Sequence, residues 1–391
     1  MKTFFDSPLR VALLCAVLIV TWWCLTVDFN YGGNWTGLFC TGDIIPVPEP
    51  LKAGTYIFHN SAGFDGQFYR YIAHEPLLQH SRASIDDIPV RQRRILLPLL
   101  AYVLAAGRQS LIDWTYMGIV LFGIVAGVYI TALFAQRHGY HALWGAAFLI
   151  IPGTLTSIDR MLLDGPFAAL AAAFAYAVAN RRPRMLWLVL LFAPLTRETG
   201  FLFTAAVCAT ELWHRRFQSV LLYGVTAAPA LAWSAYVNLH APRSTASQIM
   251  ARPFYGLFLR IFEWPAIKAV RWVAVTVGAA EAIAMAAFIT SLLLTIWLCV
   301  RAKPGPVELA GLLFAVAAFL LGEGFYVTES FGYARPISPL FVFLLFRFFT
   351  DRLRLALVLI AAVSLPIGAY FAYQALGILS GVKNGIQRFA S

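Results

Sequence analysis

Long apolar runs constrain this chain more than any other feature of its sequence. Six of them approach the roughly 20 residues that a helix needs to cross a bilayer: Leu9–Val27, Asp113–Phe134, Ser219–Asn238, Val275–Val300, Val307–Tyr326 and Leu355–Leu376. Of the 391 residues, 60% are hydrophobic and 13% are charged, whereas an ordinary soluble domain is about 25% charged. Backbone groups in lipid must be satisfied within the protein, so shorter buried runs are also predicted to be helical. We expect one all-α polytopic bundle, residues 1–391, with about ten to twelve membrane helices.

The basic residues indicate orientation rather than a nucleic-acid partner. The formal charge is +11, but Lys and Arg fall mainly in short connections, as cytoplasmic loops of membrane proteins do. Five connections qualify: Arg137 to His141, Arg181 to Arg184, His214 to Arg216, Arg301 to Lys303, and Asp351 to Arg354. We therefore exclude nucleic-acid binding and predict a multi-pass protein of the cell membrane. Lys2 and Arg10 precede the first apolar run, which is interpreted as a retained anchor because no A-x-A cleavage site follows it.

Keeping the amino terminus and all five connections inside requires the remaining apolar segments to cross or turn in pairs. Ala142–Ser157 pairs with Pro166–Ala179, and Leu186–Leu195 pairs with Phe201–Trp213. The 14 residues of Arg94–Gly107 would reach about 21 Å as a helix, so this segment is predicted to be re-entrant or to lie at the outer surface. The outer face then receives the first loop (residues 28–93), the turns of both pairs, the stretch 239–271 and "TESFGYARP" near Arg335.

The first loop contains the most informative stretch, "GFDGQFYRYIAHEP". Its apolar residues Phe64, Phe68 and Ile72 share one helical face, which predicts an amphipathic helix lying on the membrane with Asp65 in its first turn. A carboxylate at a helix start is often only a cap or a partner of the helix dipole. From spacing alone, that interpretation of Asp65 and a functional one stay equally open.

Further charges converge on the same predicted face. Arg91 and Arg94 run into an apolar helix, Asp159 and Arg160 lie on the next outer turn, and Arg335 precedes another helix. Arg91, Arg94 and Arg335 have a plain alternative as interface anchors, whereas Asp159 and Arg160 have none. Asp164 can be a helix N-cap before Pro166, and Arg197 with Glu198 can be a self-satisfied pair. Guanidinium groups at an outer surface would suit a lipid phosphate. Together these residues predict a polar site reached from both lipid and water.

With these residues in hand, the chain resembles the GT-C superfamily of integral-membrane glycosyltransferases, especially bacterial relatives of the mannosyltransferase that adds the second mannose to GPI anchors. The resemblance rests on the first helix, "FDGQFYRYIA", "RRILLPLLA", "LDGPFAAL" and "LTRETG". It covers residues 1–215 as a recognisable catalytic half, and residues 216–391 match only as additional transmembrane helices. Many relatives carry two adjacent acids in this loop, whereas glycine follows Asp65 here, so a divalent metal is not indicated.

The resemblance implies an inverting transferase that moves a sugar, with mannose as the candidate, from a polyprenyl-phosphate donor to a glycan, lipid or protein acceptor, as in the building of cell-envelope glycans. Asp65 maps to the catalytic acid residue of the first loop and would act as the base. Arg94, Arg197 and Arg335, then Arg91 and Arg160, would bind the leaving phosphate. The further candidate substrate contacts are Asp159, Asp164, Glu198, Gln67 and Tyr69, with Tyr333 beside them.

Two other functions remain open at this stage. A flippase or exporter of a lipid-linked sugar or other anionic lipid would also use outer arginines, and a non-catalytic assembly partner would need no base. The lack of an ionisable residue at a clear midplane position counts against transport. No soluble-enzyme signature such as G-x-G-x-x-G or H-E-x-x-H occurs, so we expect no cofactor. Cys40 is the one cysteine in a loop and has no loop partner, so we also expect no structural disulfide and no metal cluster.

Overall fold

The computed structural model describes residues 4–241, 252–262, 271–301, 304–327 and 332–390. Lys2, residues 302–303 and parts of the stretches 239–271 and 328–336 lie outside the described residues. The α-helices are α1 Pro8–Tyr31, α2 Glu49–Lys52, α3 Asp65–His74, α4 Ile88–Arg93, α5 Leu96–Leu104, α6 Gln109–Arg137, α7 Pro152–Arg160, α8 Asp164–Ala179, α9 Pro183–Thr196, α10 Phe201–Trp213, α11 Phe217–Gly224, α12 Ala228–His240, α13 Tyr255–Phe262, α14 Arg271–Arg301, α15 Pro306–Leu320, α16 Glu323–Val327, α17 Ser338–Asp351, α18 Arg354–Val363 and α19 Leu365–Ala390.

Short elements complete the described residues. The 3-10 helices are Phe4–Asp6, Trp35–Phe39, Ser81–Ser84, Ala142–Ile150, Glu198–Gly200 and Val225–Ala227. Two strands, β1 Thr41–Gly42 and β2 Ile57–Phe58, pair in parallel with Thr41 opposite Ile57. This pairing brings together the two ends of the segment 41–58 within the first loop.

The predicted all-α polytopic membrane fold is confirmed. Within the described residues, 5 helical segments are long and apolar enough to span a membrane: Pro8–Tyr31, Gln109–Arg137, Phe217–His240, Ala274–Arg301 and Leu365–Lys383. A bent pair, Ala142–Ile150 with Pro152–Arg160, could serve as a sixth span. Four shorter apolar helices, α8, α9, α15 and α18, lie beside them. Together with these shorter helices, the described residues hold ten apolar helical segments, of which five, or six with the bent pair, are long enough to span a membrane.

Several predicted runs are divided where the backbone cannot continue a helix. Ala142–Ser157 bends by 72° at Ile151, whose extended ψ of 132° precedes Pro152, because a residue before proline avoids the α region. Val307–Tyr326 ends its first helix at Leu320, where Leu321 is extended. Leu355–Leu376 is interrupted at Ser364, whose hydroxyl donates to the Ile150 carbonyl at 2.6 Å. The segment Arg94–Gly107 holds α5, whose nine residues reach about 13 Å, so it does not cross as one helix.

The first loop folds over one end of the bundle, called the loop end from here on. α3 forms where the apolar spacing predicts it, but its setting differs from the expectation of a helix spread on lipid. Every residue from Gly66 to His74 is buried within the protein, beneath the loop and against α5 and α6. The polar face is covered because Arg70 donates two hydrogen bonds to Asp113 of α6, at 2.8 and 2.9 Å. α3 is therefore a buried positioning element.

Aromatic packing joins both halves of the chain below this end. Phe203 stacks on Phe174 with ring centroids 4.8 Å apart and on Phe167 at 5.6 Å. Phe314 of α15 contacts Phe203 at 5.5 Å, and Phe343 of α17 contacts it at 6.1 Å. The helices that present Asp164, Arg197 and Arg335 thus rest on one shared core.

Candidate active site at the loop end

Asp65 is the first residue of α3, and its carboxylate holds two arginines from distant parts of the chain. The Oδ2 atom accepts from Arg335 Nη2 at 2.9 Å and pairs with Arg91 Nη1 at 2.9 Å. Arg91 also donates to Asp86 at 2.9 and 2.7 Å. A helix start favours an acid in any protein, but these partners give Asp65 contacts that a plain cap would not have.

The charged neighbours fix the ionisation of Asp65. Burial by itself would raise the pKa of this carboxyl, but Arg335, Arg91 and Arg94 together hold its pKa well below the usual range. The group is therefore a carboxylate at neutral pH. It can accept a hydrogen bond from a substrate hydroxyl, while its basicity depends on how firmly the arginines remain attached.

Arg335 links Asp65 to a second carboxylate, Asp164. Its Nε lies 3.5 Å from Asp164 Oδ2, and the other oxygen of Asp164 pairs with Arg197. The N-cap prediction for Asp164 is wrong, since α8 begins at Asp164 itself after Leu163. The following amide, that of Gly165, donates instead to the Ser157 hydroxyl at 2.7 Å, which frees the Asp164 carboxylate for the arginines.

Arg94 and Glu198 form a separate pair beside this group. Arg94 donates to Glu198 from Nε at 2.8 Å and from Nη2 at 2.5 Å, and to the Tyr69 hydroxyl from Nη1 at 2.8 Å. The alternative that Arg197 and Glu198 satisfy each other is wrong, because each turns to a different partner. Arg94 is only 2% exposed, so its charge is compensated by the carboxylate and the phenol.

The remaining candidates lie around this centre. Arg160 donates to Asp159 from Nε at 3.1 Å, and its guanidinium lies 4.2 Å from the centroid of the Phe64 ring. Gln67 is fully buried, with Oε1 accepting from the Gly42 amide and Nε2 donating to the Ala62 carbonyl. Its amide therefore holds the loop backbone. Tyr333 is buried and stacks on Tyr326 with an interplanar angle of 6°.

A steric constraint explains why glycine, Gly66, stands after Asp65 where many members of the resembled family have a second acid. A Cβ atom on Gly66 would lie 2.2 Å from the Arg160 carbonyl oxygen and 3.0 Å from that of Phe39. α3 approaches α7 backbone to backbone at this point, so no side chain fits. The site has one loop carboxylate at this position because of that approach. Among the described residues no group of three or more His, Cys, Asp or Glu is arranged to hold a metal ion.

Some contacts of the site could not be read from the sequence. Gln374 lies within a predicted membrane run, yet its Nε2 donates to Asp159 Oδ1 at 2.6 Å. His74 and Gln109 extend the Arg70–Asp113 pair, with His74 Nε2 2.9 Å from Asp113. For Gln374 the sequence did offer a signal, because a polar residue inside an apolar run often marks a functional site in membrane proteins.

Comparisons with known proteins add one distant likeness. No protein-family model matches the chain, and no curated protein matches its sequence. Among solved structures, ArnT from Cupriavidus metallidurans bound to undecaprenyl phosphate is similar over 73% of this chain, with 18% identity and a TM-score of 0.43. The match spans 55% of that longer protein. A likeness of this size carries no assignment of activity.

The geometry defines what the loop end can do chemically. One carboxylate, Asp65, lies beside the guanidinium groups of Arg91 and Arg335. In the adjoining pair, Arg94 uses three of the five N–H donors that an arginine has. Arg197 Nε is buried without a hydrogen-bond partner among the described residues. Such a site can accept a proton and hold an anionic group within the same few ångströms.

Proposed function

We propose that the protein is an inverting glycosyltransferase that takes its sugar from a polyprenyl-phosphate donor. The observation that carries the proposal is the Asp65 carboxylate held at 2.9 Å by both Arg91 and Arg335, with Arg197 and Arg94 in the adjoining pairs. A base and a phosphate site are thus adjacent at one end of an apolar bundle. The extracytoplasmic face, the bacterial inner membrane, a mannose donor and a role in cell-envelope glycans are further parts of this proposal.

The reaction follows from the two charge types. An acceptor hydroxyl binds to Asp65 and gives its proton to the carboxylate as its oxygen attacks the anomeric carbon. The bond from that carbon to the phosphate oxygen breaks on the opposite face, so the configuration inverts. Polyprenyl phosphate leaves as an anion, and the guanidinium groups of Arg94, Arg197 and Arg335 stabilise the charge where it develops. Arg160 and Arg91 adjoin this path.

The arginine pairing supplies a means to couple donor binding to basicity. In the free protein Arg91 and Arg335 lower the pKa of Asp65, which makes it a weak base. A donor phosphate competes for the same guanidinium groups, so their hold on Asp65 weakens and its proton affinity rises. The base then becomes effective only when the donor is in place. Asp164 and Glu198 keep Arg197 and Arg94 in position in the meantime.

The test is release of polyprenyl phosphate by purified protein in nanodiscs, starting from polyprenyl-phosphate mannose and a crude glycan and lipid extract as acceptor. Asp65→Asn keeps the shape and removes the base, so turnover should fall by at least about 10²-fold. Asp43→Asn is the matched control, because this carboxylate of the same loop contacts His59 and the Ser61 amide. Its turnover should stay within about twofold of the wild type, since the base is retained.

Thermal unfolding of each variant establishes that the proteins compared are folded. An Asp65→Asn variant with wild-type turnover would show that Asp65 is structural and would move the base to Asp159, Asp87 or Glu198. If the wild type consumes no donor across several polyprenyl-phosphate sugars, the transferase proposal is wrong. Translocation of the same lipids across vesicles would then test the flippase alternative.

A further inference from the structure

A cavity of about 630 Å³ lies at the loop end between α1 and α19, beside the Asp65 site. Its walls combine aromatic rings with amide groups: Tyr31, Phe58, Tyr370, Tyr373, Asn30 and Gln374. Tyr373 is 73% exposed, so the cavity opens to the outside of the protein. This mixture of flat apolar faces and convergent polar groups is typical of small-molecule sites.

Gln374 carries the strongest sign of a ligand in this cavity. It is 5% exposed, and its Nε2 donates to Asp159 Oδ1 at 2.6 Å and lies 3.4 Å from the Tyr31 hydroxyl. Because the amide nitrogen of Gln374 faces Asp159 and Tyr31, the amide oxygen faces the other way. That Oε1 atom is buried and has no hydrogen-bond partner among the described residues. A buried acceptor of this kind is costly unless a donor reaches it.

The cavity is joined to the Asp65 site by stacked groups. The Arg160 guanidinium lies 4.5 Å from the centroid of the Tyr370 ring and 4.2 Å from that of Phe64. The Arg335 guanidinium lies 5.0 Å from the centroid of the same Phe64 ring, and Arg335 pairs with Asp65. Two guanidinium groups, Arg160 and Arg335, and the Phe64 ring therefore connect Tyr370 to the Asp65 carboxylate.

We propose that this cavity binds a sugar ring of the acceptor, which deepens the proposed function and rests on it. A sugar ring offers hydroxyl donors for Gln374 Oε1 and C–H faces for the tyrosine rings. The Asp159 carboxylate fixes the amide so that its oxygen presents the acceptor atom. Arg94 follows α4 and Arg197 follows α9, whereas the cavity lies between α1 and α19. The donor and the acceptor therefore reach the site along different elements of the bundle. The ring belongs either to a free glycan or to a glycolipid headgroup.

The experiment measures sugar binding without turnover, by saturation-transfer NMR on the full chain in nanodiscs. The soluble probes are methyl α-mannoside, methyl α-glucoside and inositol, and a second arm places a monoglycosyl diacylglycerol in the nanodisc as competitor. Binding should weaken about tenfold in Gln374→Met, the effect of losing one hydrogen bond. It should also weaken in Tyr373→Ala, a variant at an exposed position whose fold is checked by thermal unfolding. Tyr129→Ala removes a tyrosine of α6 that is 37% exposed and is the matched control.

Weakened binding in both cavity variants, with wild-type binding in Tyr129→Ala, supports the proposal. Displacement of the soluble probe by the glycolipid assigns the ring to a headgroup, and absence of displacement assigns it to a free glycan. Wild-type binding in Tyr373→Ala, or no binding of any probe in either arm, overturns the acceptor site. Sugar binding is measured here without any transfer reaction. A wild-type protein that binds the probe but consumes no donor would therefore contradict the transferase proposal and not the sugar site.

Discussion

Gly66 offers the sharpest test of how the site is built, because one added carbon meets backbone on two sides. In Gly66→Ala the new Cβ would lie 2.2 Å from the Arg160 carbonyl oxygen, so α3 and α7 must separate by about 1 Å to reach ordinary contact. Such overpacking costs about 1–3 kcal/mol. The helix propensity that alanine gains over glycine offsets about 1 kcal/mol of this at most. We expect a net destabilisation of about 1–2 kcal/mol.

The assay is thermal unfolding in one detergent at one scan rate, because unfolding of a membrane protein is commonly irreversible. For a chain of this length the midpoint should fall by roughly 2 °C, extrapolating the known size dependence. Gly118→Ala is the matched control, since a Cβ there meets nothing within 4 Å and should leave the midpoint unchanged or higher. A Gly66→Ala protein as stable as the wild type would refute the steric account of the missing second acid. Donor turnover should also fall in Gly66→Ala, even at temperatures where the protein is fully folded, because Asp65 moves with α3.

Two further predictions concern the charges themselves. The lowered pKa of Asp65 means that its ion pairs stabilise the fold above about pH 3.9 and are lost only as pH falls through the lower folded value. The kcat/KM of the transferase should therefore stay flat on its acid side from about pH 8 to pH 5, and an acid limb with an apparent pKa near 6 would contradict the assignment. Arg94→Lys loses at least one of two charge-assisted bonds to Glu198, so kcat/KM should fall about 10- to 100-fold. Arg93→Lys, next in the chain and bonded to Asn238, should change kcat/KM by less than about twofold, and equal losses in the two variants would contradict the role of Arg94.

The site illustrates why charge pairing was harder to predict than charge location. The sequence placed Asp65, Arg94, Arg197 and Arg335 on one predicted face, and the structure brings them together. It did not reveal that Arg197 pairs with Asp164 rather than with its neighbour Glu198. Partners separated by tens of residues depend on how helices cross, and adjacent residues on a tight turn point in different directions.

The helix breaks show the same limit on a larger scale. Hydropathy marks where lipid can surround a helix, and that property is local to each run. Whether a run continues through Ile151 or Ser364 depends on a following proline or on a carbonyl offered by another helix. The burial of α3 likewise depends on Asp113, which lies on a different helix.

The sequence by itself determined that this protein is built for lipid, its helical class, and the end of the bundle where charged residues gather. These follow from composition and short-range spacing, which act through each residue's own free energy in lipid or in a helix. Only the tertiary structure decided which arginine holds which carboxylate, why Gly66 excludes a second acid, and that Gln374 beside the cavity keeps a buried amide oxygen without a hydrogen-bond partner among the described residues. These features depend on distances between segments that are remote in the chain, and such distances are set by packing of the whole bundle.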